Sequence, residues 1–127
     1  MRVLVVEDDR DAAATLLALL RDEGHAAETV HKAGDVWHTV PRFDPDVVLI
    51  DIGLPDRSGY EVAQKIRGRF GDDKPYLIAV TAWNKRSDKI LAKLAGFNDH
   101  IGKPYDPNDL LRLLADFKSS GVNGSAT

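Results

Sequence analysis

Four stretches of this sequence end in residues able to do chemistry. The run VLVV at 3–6 leads into Glu7, Asp8 and Asp9, VVLI at 47–50 into Asp51, and YLIAV at 76–80 into Thr81, while His100 and Ile101 are followed one glycine later by Lys103. If the four ends meet, several carboxylates share one crevice, and like charges that close destabilise one another unless one is protonated or a cation bridges them. A hard divalent ion held by one or two carboxylates, a carbonyl and waters resolves the conflict, which describes Mg²⁺, with open positions left for phosphate oxygens. An aspartate is a covalent nucleophile that needs no base to deprotonate it at neutral pH. What it needs is charge neutralisation on the incoming phosphoryl group, which Mg²⁺ and Lys103 would supply while Thr81 hydrogen-bonds a transferred oxygen. The chemistry implied is phosphoryl transfer to a carboxylate.

For these ends to meet, the runs must be neighbouring parallel strands. None alternates apolar with polar residues, and unbroken apolar runs belong to strands covered on both faces. Between and after them the sequence carries helical periodicities: Ala13, Leu16, Leu17 and Leu20; Val62, Ala63, Ile66 and Phe70; Ile90, Leu91 and Leu94; Leu110, Leu113, Leu114 and Phe117. Each is read as one apolar face; Leu111 falls off the last stripe and is expected to be exposed. Residues Ala26–Val30, interrupted by Glu28 and Thr29, suit an edge strand, and the short helix around Val36 is expected to end at Pro41. Ser58 with Glu61 forms a capping box, Asp106 before Pro107 opens the last helix, and Asp9 and Asp11 favour the start of the first. Strict alternation with right-handed crossovers predicts an α/β fold. Its expected form is a doubly wound, five-stranded parallel sheet in the flavodoxin-like order 2-1-3-4-5 with five helices. In that order the first and third strands meet at the topological switch point, outside whose carboxyl ends ligands bind.

Composition narrows the class further. The 127 residues, 43% hydrophobic and 29% charged, fit one soluble domain with one core. With no cysteine, disulfides, thiolate metal sites and cysteine nucleophiles are excluded. The opening apolar run is too short for a signal-peptide core or a membrane helix, so a cytoplasmic address without membrane contact is expected. A net charge of −3 hides an acidic first half, with 12 acids and 6 Lys/Arg in residues 1–60, and a basic second half, with 8 and 11. Nucleic-acid binding usually needs a concentrated basic face, and none is expected here. Lys85, Arg86, Lys89 and Lys93 read as a solvated helix face. His25, His31 and His38 lack a metal-ligand spacing and read as structural or surface residues, and Trp37 reads as packing. SSGVNGSAT at 119–127 has no periodicity, which predicts a folded domain over 1–118 and a flexible tail over 119–127.

The motifs VLVVEDD at 3–9, VVLIDIGLPDRSGYEV at 47–62, VTA at 80–82 and DHIGKPYDPNDLL at 99–111 strongly resemble the receiver domain of bacterial two-component response regulators, over residues 2–118. The resemblance implies that Asp51 accepts phosphate from a histidine kinase, and that Glu7 and Asp8 bind Mg²⁺ together with Asp51 and the backbone carbonyl of Gly53. It also implies that Thr81 is the switch hydroxyl, Lys103 the phosphate-sensing lysine and the peptide bond from Lys103 to Pro104 cis. His100 departs from the commonest pattern, since many receivers carry there a tyrosine or phenylalanine that swings inward; histidine is planar but smaller and titrates near physiological pH. Gly53 and Trp83 stand where the family varies and where water access to the acyl phosphate is influenced.

The expected partners are a histidine kinase or histidine phosphotransfer protein and a downstream protein, reached through the face of helix 4, strand 5 and helix 5 with His100 and Tyr105. The chain is expected to be a monomer or a weak phosphorylation-dependent dimer, and no enzyme beyond its own phosphorylation and dephosphorylation. It opens on the first strand and ends soon after the last helix, so a stand-alone receiver is expected; one excised from a hybrid kinase is the alternative. A metal-dependent phosphatase of the haloacid dehalogenase type would need an acid where Gly53 stands, and a flavin binder would find its phosphate repelled by the acidic first loop.

Overall fold

The computed structural model describes the backbone of residues 1–82 and 86–126 and the side chains of residues 1–82 and 88–118. Trp83, Lys85 and the side chain of Arg86 lie outside the described residues. Five strands, β1 (Arg2–Val6), β2 (Ala26–Val30), β3 (Val47–Asp51), β4 (Tyr76–Thr81) and β5 (Asp99–Gly102), form one sheet in the order β2-β1-β3-β4-β5. Every pairing is parallel, and the register sets Val6 level with Ile50 and Thr81 level with Gly102. The unbroken apolar runs follow from this arrangement. Leu4, Val6, Val48, Ile50, Leu77 and Ala79 point into one core layer, while Val3, Val5, Val47, Leu49, Ile78 and Val80 point into the other.

Helices cover both layers. On one side α1 (Arg10–Asp22) buries Ala13, Leu16 and Leu20, and α5 (Pro107–Ala126) buries Leu110 and Leu114. Asp9 opens α1 by accepting the amide N–H groups of Asp11 and Ala12 at 3.0 and 3.1 Å, and Asp106 opens α5 through the Asn108 N–H at 2.9 Å. On the other side α2 (Val36–Phe43), α3 (Gly59–Phe70) and α4 (Arg86–Ala95) face the second layer. Ser58 caps α3 through the Tyr60 N–H, but Glu61 pairs with Arg57 at 3.5 Å instead of reaching back, so half of the expected capping box forms.

Three expectations need correction. Pro41 lies inside α2, which runs on to Phe43 before Asp44, at φ 51°, ends it. A proline late in a helix forfeits only one backbone hydrogen bond, and Thr39 Oγ1, donating to the Asp35 carbonyl at 2.6 Å, steadies the preceding turn. Leu111 is half-buried against the core instead of standing exposed. The largest difference is at α4. It buries Ala92 and Ala95, and the aliphatic stripe read as its core face is exposed.

Two long-range connections hold the frame. Arg67 of α3 donates to the Gly96 carbonyl at 2.9 Å, the Pro75 carbonyl at 2.8 Å and Asn98 Oδ1 at 2.6 Å, and Asn98 is itself bonded to the Leu77 N–H at 2.8 Å. Gly96, at φ +107°, has no room for a side chain: a Cβ there would lie 2.6 Å from Arg67 Cγ.

Asp56, in the loop after β3, accepts the N–H groups of Ala33 and Gly34 at 3.0 and 3.1 Å, and so ties that loop to the single 3₁₀ turn before α2. These amides, Ala33 foremost, hold the Asp56 carboxyl below its usual value of 3.8. A lowered folded value means that this contribution to stability is complete above the unfolded value and is lost as pH falls through the folded one. The amide proton shifts of Ala33 and Gly34 are therefore expected to titrate with a midpoint below 3.8. In Asp56→Asn that titration should vanish; an unchanged curve would assign it to another acid.

A carboxylate crevice at the strand ends

The sheet delivers its reactive groups to one rim. Asp51 and Thr81 are the last residues of β3 and β4, Glu7 follows β1, and Lys103 follows β5 with its N–H on the Thr81 carbonyl at 2.7 Å. Gly59 lets α3 approach this rim, since a Cβ there would stand 2.7 Å from Ile52 Cα and 2.8 Å from the Asp51 carbonyl oxygen. The peptide bond from Lys103 to Pro104 is cis, as the resemblance implied.

Lys103 Nζ lies 2.8 Å from Glu7 Oε1 and 3.3 Å from Asp51 Oδ2, so one ammonium serves two acids. Asp51 Oδ1 accepts the Gly53 N–H at 3.0 Å. Burial, with the Asp51 carboxylate adding to it, pushes Glu7 up to about 7 against the pull of Lys103. Burial would raise Asp51 too, but hydrogen bonds with Glu7, the Gly53 N–H and the Lys103 ammonium hold it below the usual carboxylate range. Burial opposes the ammonium of Lys103, yet its bond to Glu7 and the charge of Asp51 outweigh that and raise it. Of the two acids, Asp51 is thus the one held toward its charged form and Glu7 the one pushed toward its neutral form.

The residues fit a divalent cation. Glu7, Asp8 and Asp51 each offer an oxygen, all within 4.8 Å of one another. Glu7 Oε2 is buried with no hydrogen-bond partner, a cost that a cation would relieve. Hard carboxylate oxygens with Asp8 on the exposed side suit an ion that keeps several waters.

Of the residues singled out from the sequence, Glu7, Asp8, Asp51, Gly53 and Lys103 gather here, and Thr81 is buried at the same level of the sheet. His100 does not join them. It sits two residues before the end of β5, beside Ala79, and lines a cleft against α4. Tyr105, expected on an outward face, is half-buried and lines a cavity of about 580 Å³ that also reaches Glu7, Asp51 and Lys103. His31 was read as structural, and its Nδ1 lies 2.9 Å from the Glu7 carbonyl oxygen. The Asp56 connection escaped sequence reading, because its partners lie 22 and 23 residues earlier with no local signature.

A doubly wound sheet with an ionised aspartate and further carboxylates at its switch point defines an α/β protein of the CheY-like class. The profile of the response regulator receiver domain matches residues 3–115, and the chain belongs to that family. A Methanospirillum hungatei response regulator receiver domain protein (CheY-like) is 26% identical, with a TM-score of 0.87 over 97% of each chain. An uncharacterised 14.6 kDa protein of Leptolyngbya boryana is 32% identical over 92% of this chain and 89% of its own. DltR of Streptococcus agalactiae is 36% identical over 87% of this chain, and MprA of Mycobacterium tuberculosis 32% over 87%. The chain spans about half the length of these two regulators, 49% and 47%. It is a receiver domain of two-component response regulators. Among the described residues, no helix is long and apolar enough to cross a membrane.

Proposed function

We propose that this receiver, in the cytoplasm, accepts a phosphoryl group on Asp51 from the phosphohistidine of a histidine kinase or phosphotransfer protein, and that the acyl phosphate changes how a downstream protein binds. The observation that carries the reading is the Asp51 carboxylate at the end of β3, with its Oδ1 on the Gly53 N–H at 3.0 Å and its Oδ2 3.3 Å from Lys103 Nζ. An ionised carboxylate attacks phosphorus without a base, and the departing imidazole takes the electron pair of the broken P–N bond. Lys103, already beside Asp51, meets the negative phosphoryl oxygens as they arrive. Thr81, level with Gly102 in the register, offers a hydroxyl to the transferred group. Glu7, Asp8, Asp51 and the Gly53 carbonyl would hold Mg²⁺, which when bound supplies positive charge to the phosphoryl oxygens.

Incubation with a small acyl phosphate and Mg²⁺ is expected to add one phosphoryl group, mapped to Asp51 by peptide mass analysis. Label on another residue, or equal labelling without Mg²⁺, overturns the reading. Asp8→Ala is expected to weaken Mg²⁺ binding at least about tenfold, because a shallow, mostly hydrated site has few protein anchors to lose. Calorimetry checks it; unchanged affinity would move the metal elsewhere.

A further inference from the structure

A second cleft, sharing no residue with the cavity at the carboxylate crevice, lies between α2 and α3. It measures about 490 Å³ and is lined by Trp37 of α2 and by Gln64, Lys65, Gly68 and Arg69 of α3. The α3 residues fall at helical spacing on one exposed stripe, while Val62, Ala63 and Ile66 of the same helix turn to the core. Trp37 is half-buried, packed in part against the core and open to the cleft with the rest. Lys65 Nζ stands 5.2 Å from the centroid of its ring, so the aromatic face holds an ammonium over the cleft. No acid lines this space, and among the described residues neither Lys65 nor Arg69 has a carboxylate partner. Gly68 adds a second, independent observation. It sits in the interior of α3, where glycine costs stability relative to alanine, its φ is not positive, and a Cβ there would meet nothing within 4 Å. Neither a turn nor close packing within the chain calls for it. What it provides is bare backbone at the floor of the cleft, as glycine does where a ligand approaches the main chain closely.

We propose that this cleft binds a planar heteroaromatic ring carrying a phosphate, of which a nucleoside monophosphate is the simplest example. The ring lies against Trp37 over the backbone of Gly68, and the Gln64 amide, both donor and acceptor, meets its heteroatoms. The phosphate takes Lys65 and Arg69, whose planar guanidinium can pair two phosphate oxygens at once. Each part of the cleft narrows the class. Two cations without an acid select an anion, the exposed part of Trp37 selects a flat apolar surface, and the volume is that of a small-molecule site. A nucleic-acid strand is a poorer occupant, since it needs a basic groove that follows the backbone over several nucleotides, and here the cations are two residues on one helix. The inference stands apart from the acyl phosphate chemistry, because none of the five lining residues belongs to the crevice.

The test is titration of the whole ¹⁵N-labelled chain, without Mg²⁺, with adenosine 5′-monophosphate and, separately, with adenosine and with inorganic phosphate. The monophosphate is expected to bind at least about tenfold more tightly than either fragment, with shifts centred on α2, α3 and the Trp37 indole N–H, a signal identified by its loss in Trp37→Phe. Lys65→Glu with Arg69→Glu should weaken it at least about tenfold. Gly68→Leu is the sharper variant. It should raise the midpoint of thermal unfolding, since leucine is the better helix former and its side chain enters open space, yet abolish nucleotide binding by covering the floor of the cleft. Labelling of Asp51 by a small acyl phosphate with Mg²⁺ should proceed unchanged in Gly68→Leu, which separates loss of this site from loss of the receiver chemistry. Equal affinity for the monophosphate and its fragments, shifts centred on Glu7 and Asp51, or undiminished binding by Gly68→Leu would each overturn the proposal. A single-stranded oligonucleotide binding the same residues more tightly than the monophosphate would overturn it too, and make the face a nucleic-acid surface.

Discussion

Asp51→Asn is expected to abolish phosphoryl incorporation while leaving the fold intact. The side-chain amide has nearly the volume of the carboxylate, and its oxygen can still accept the Gly53 N–H, now at 3.0 Å from Oδ1. It is not a nucleophile at neutral pH, so the loss should be complete, not partial. Thr81→Ala and Lys103→Ala should behave differently. Neither supplies the attacking oxygen, so both should retain measurable labelling, slower in Lys103→Ala because the ammonium at 3.3 Å from Asp51 Oδ2 is gone. Both should blunt the amide shift changes that phosphorylation produces in β5 and α4. Intact-mass analysis and two-dimensional NMR read the two effects separately. Equal labelling of Asp51→Asn would move the acceptor, and shift changes identical to the unmodified chain in both other variants would end the division between attack and response.

The second large effect is one of stability. Arg67→Ala is expected to cost about 2–4 kcal/mol, because it removes charge-assisted hydrogen bonds to the Gly96 and Pro75 carbonyls and to Asn98, and strands the two carbonyls. The midpoint of thermal unfolding should drop by roughly 10 °C. Arg67→Lys should recover less than half, since one ammonium cannot span acceptors that a planar guanidinium bridges. Arg69→Ala, two residues on and exposed, should stay within about 0.5 kcal/mol. Equal losses at both positions would attribute the effect to helix propensity instead of the bridge.

The acidic crevice was legible because parallel strands covered on both faces become continuous apolar runs, and the residues after the runs land on one rim once the commoner order 2-1-3-4-5 is taken. The pair Glu7 and Asp8, the lone Asp51 and Lys103 could be placed from that alone. The stripe on α4 misled for a physical reason. Ile90, Leu91 and Leu94 have the spacing of a core face, but Ala92 and Ala95 satisfy the same period on the opposite side, and periodicity does not say which stripe turns inward. The bridges from Arg67 and Asp56 close between residues far apart in the chain, where local patterns are silent. His100 occupies the sequence position of a switch residue, yet its strand places it beside Ala79 and the α4 cleft.

The hold of Arg67 on Gly96 makes α4 a lever with its fulcrum at the carboxyl end. A displacement of the amino-terminal end of α4 would therefore swing the helix about Gly96. With about 1.5 Å of rise per residue, Ile90 lies roughly 9 Å from that fulcrum and Leu94 roughly 3 Å. The same small rotation therefore carries Ile90 about three times as far as Leu94, giving the exposed stripe a nearly stationary heel and a moving toe.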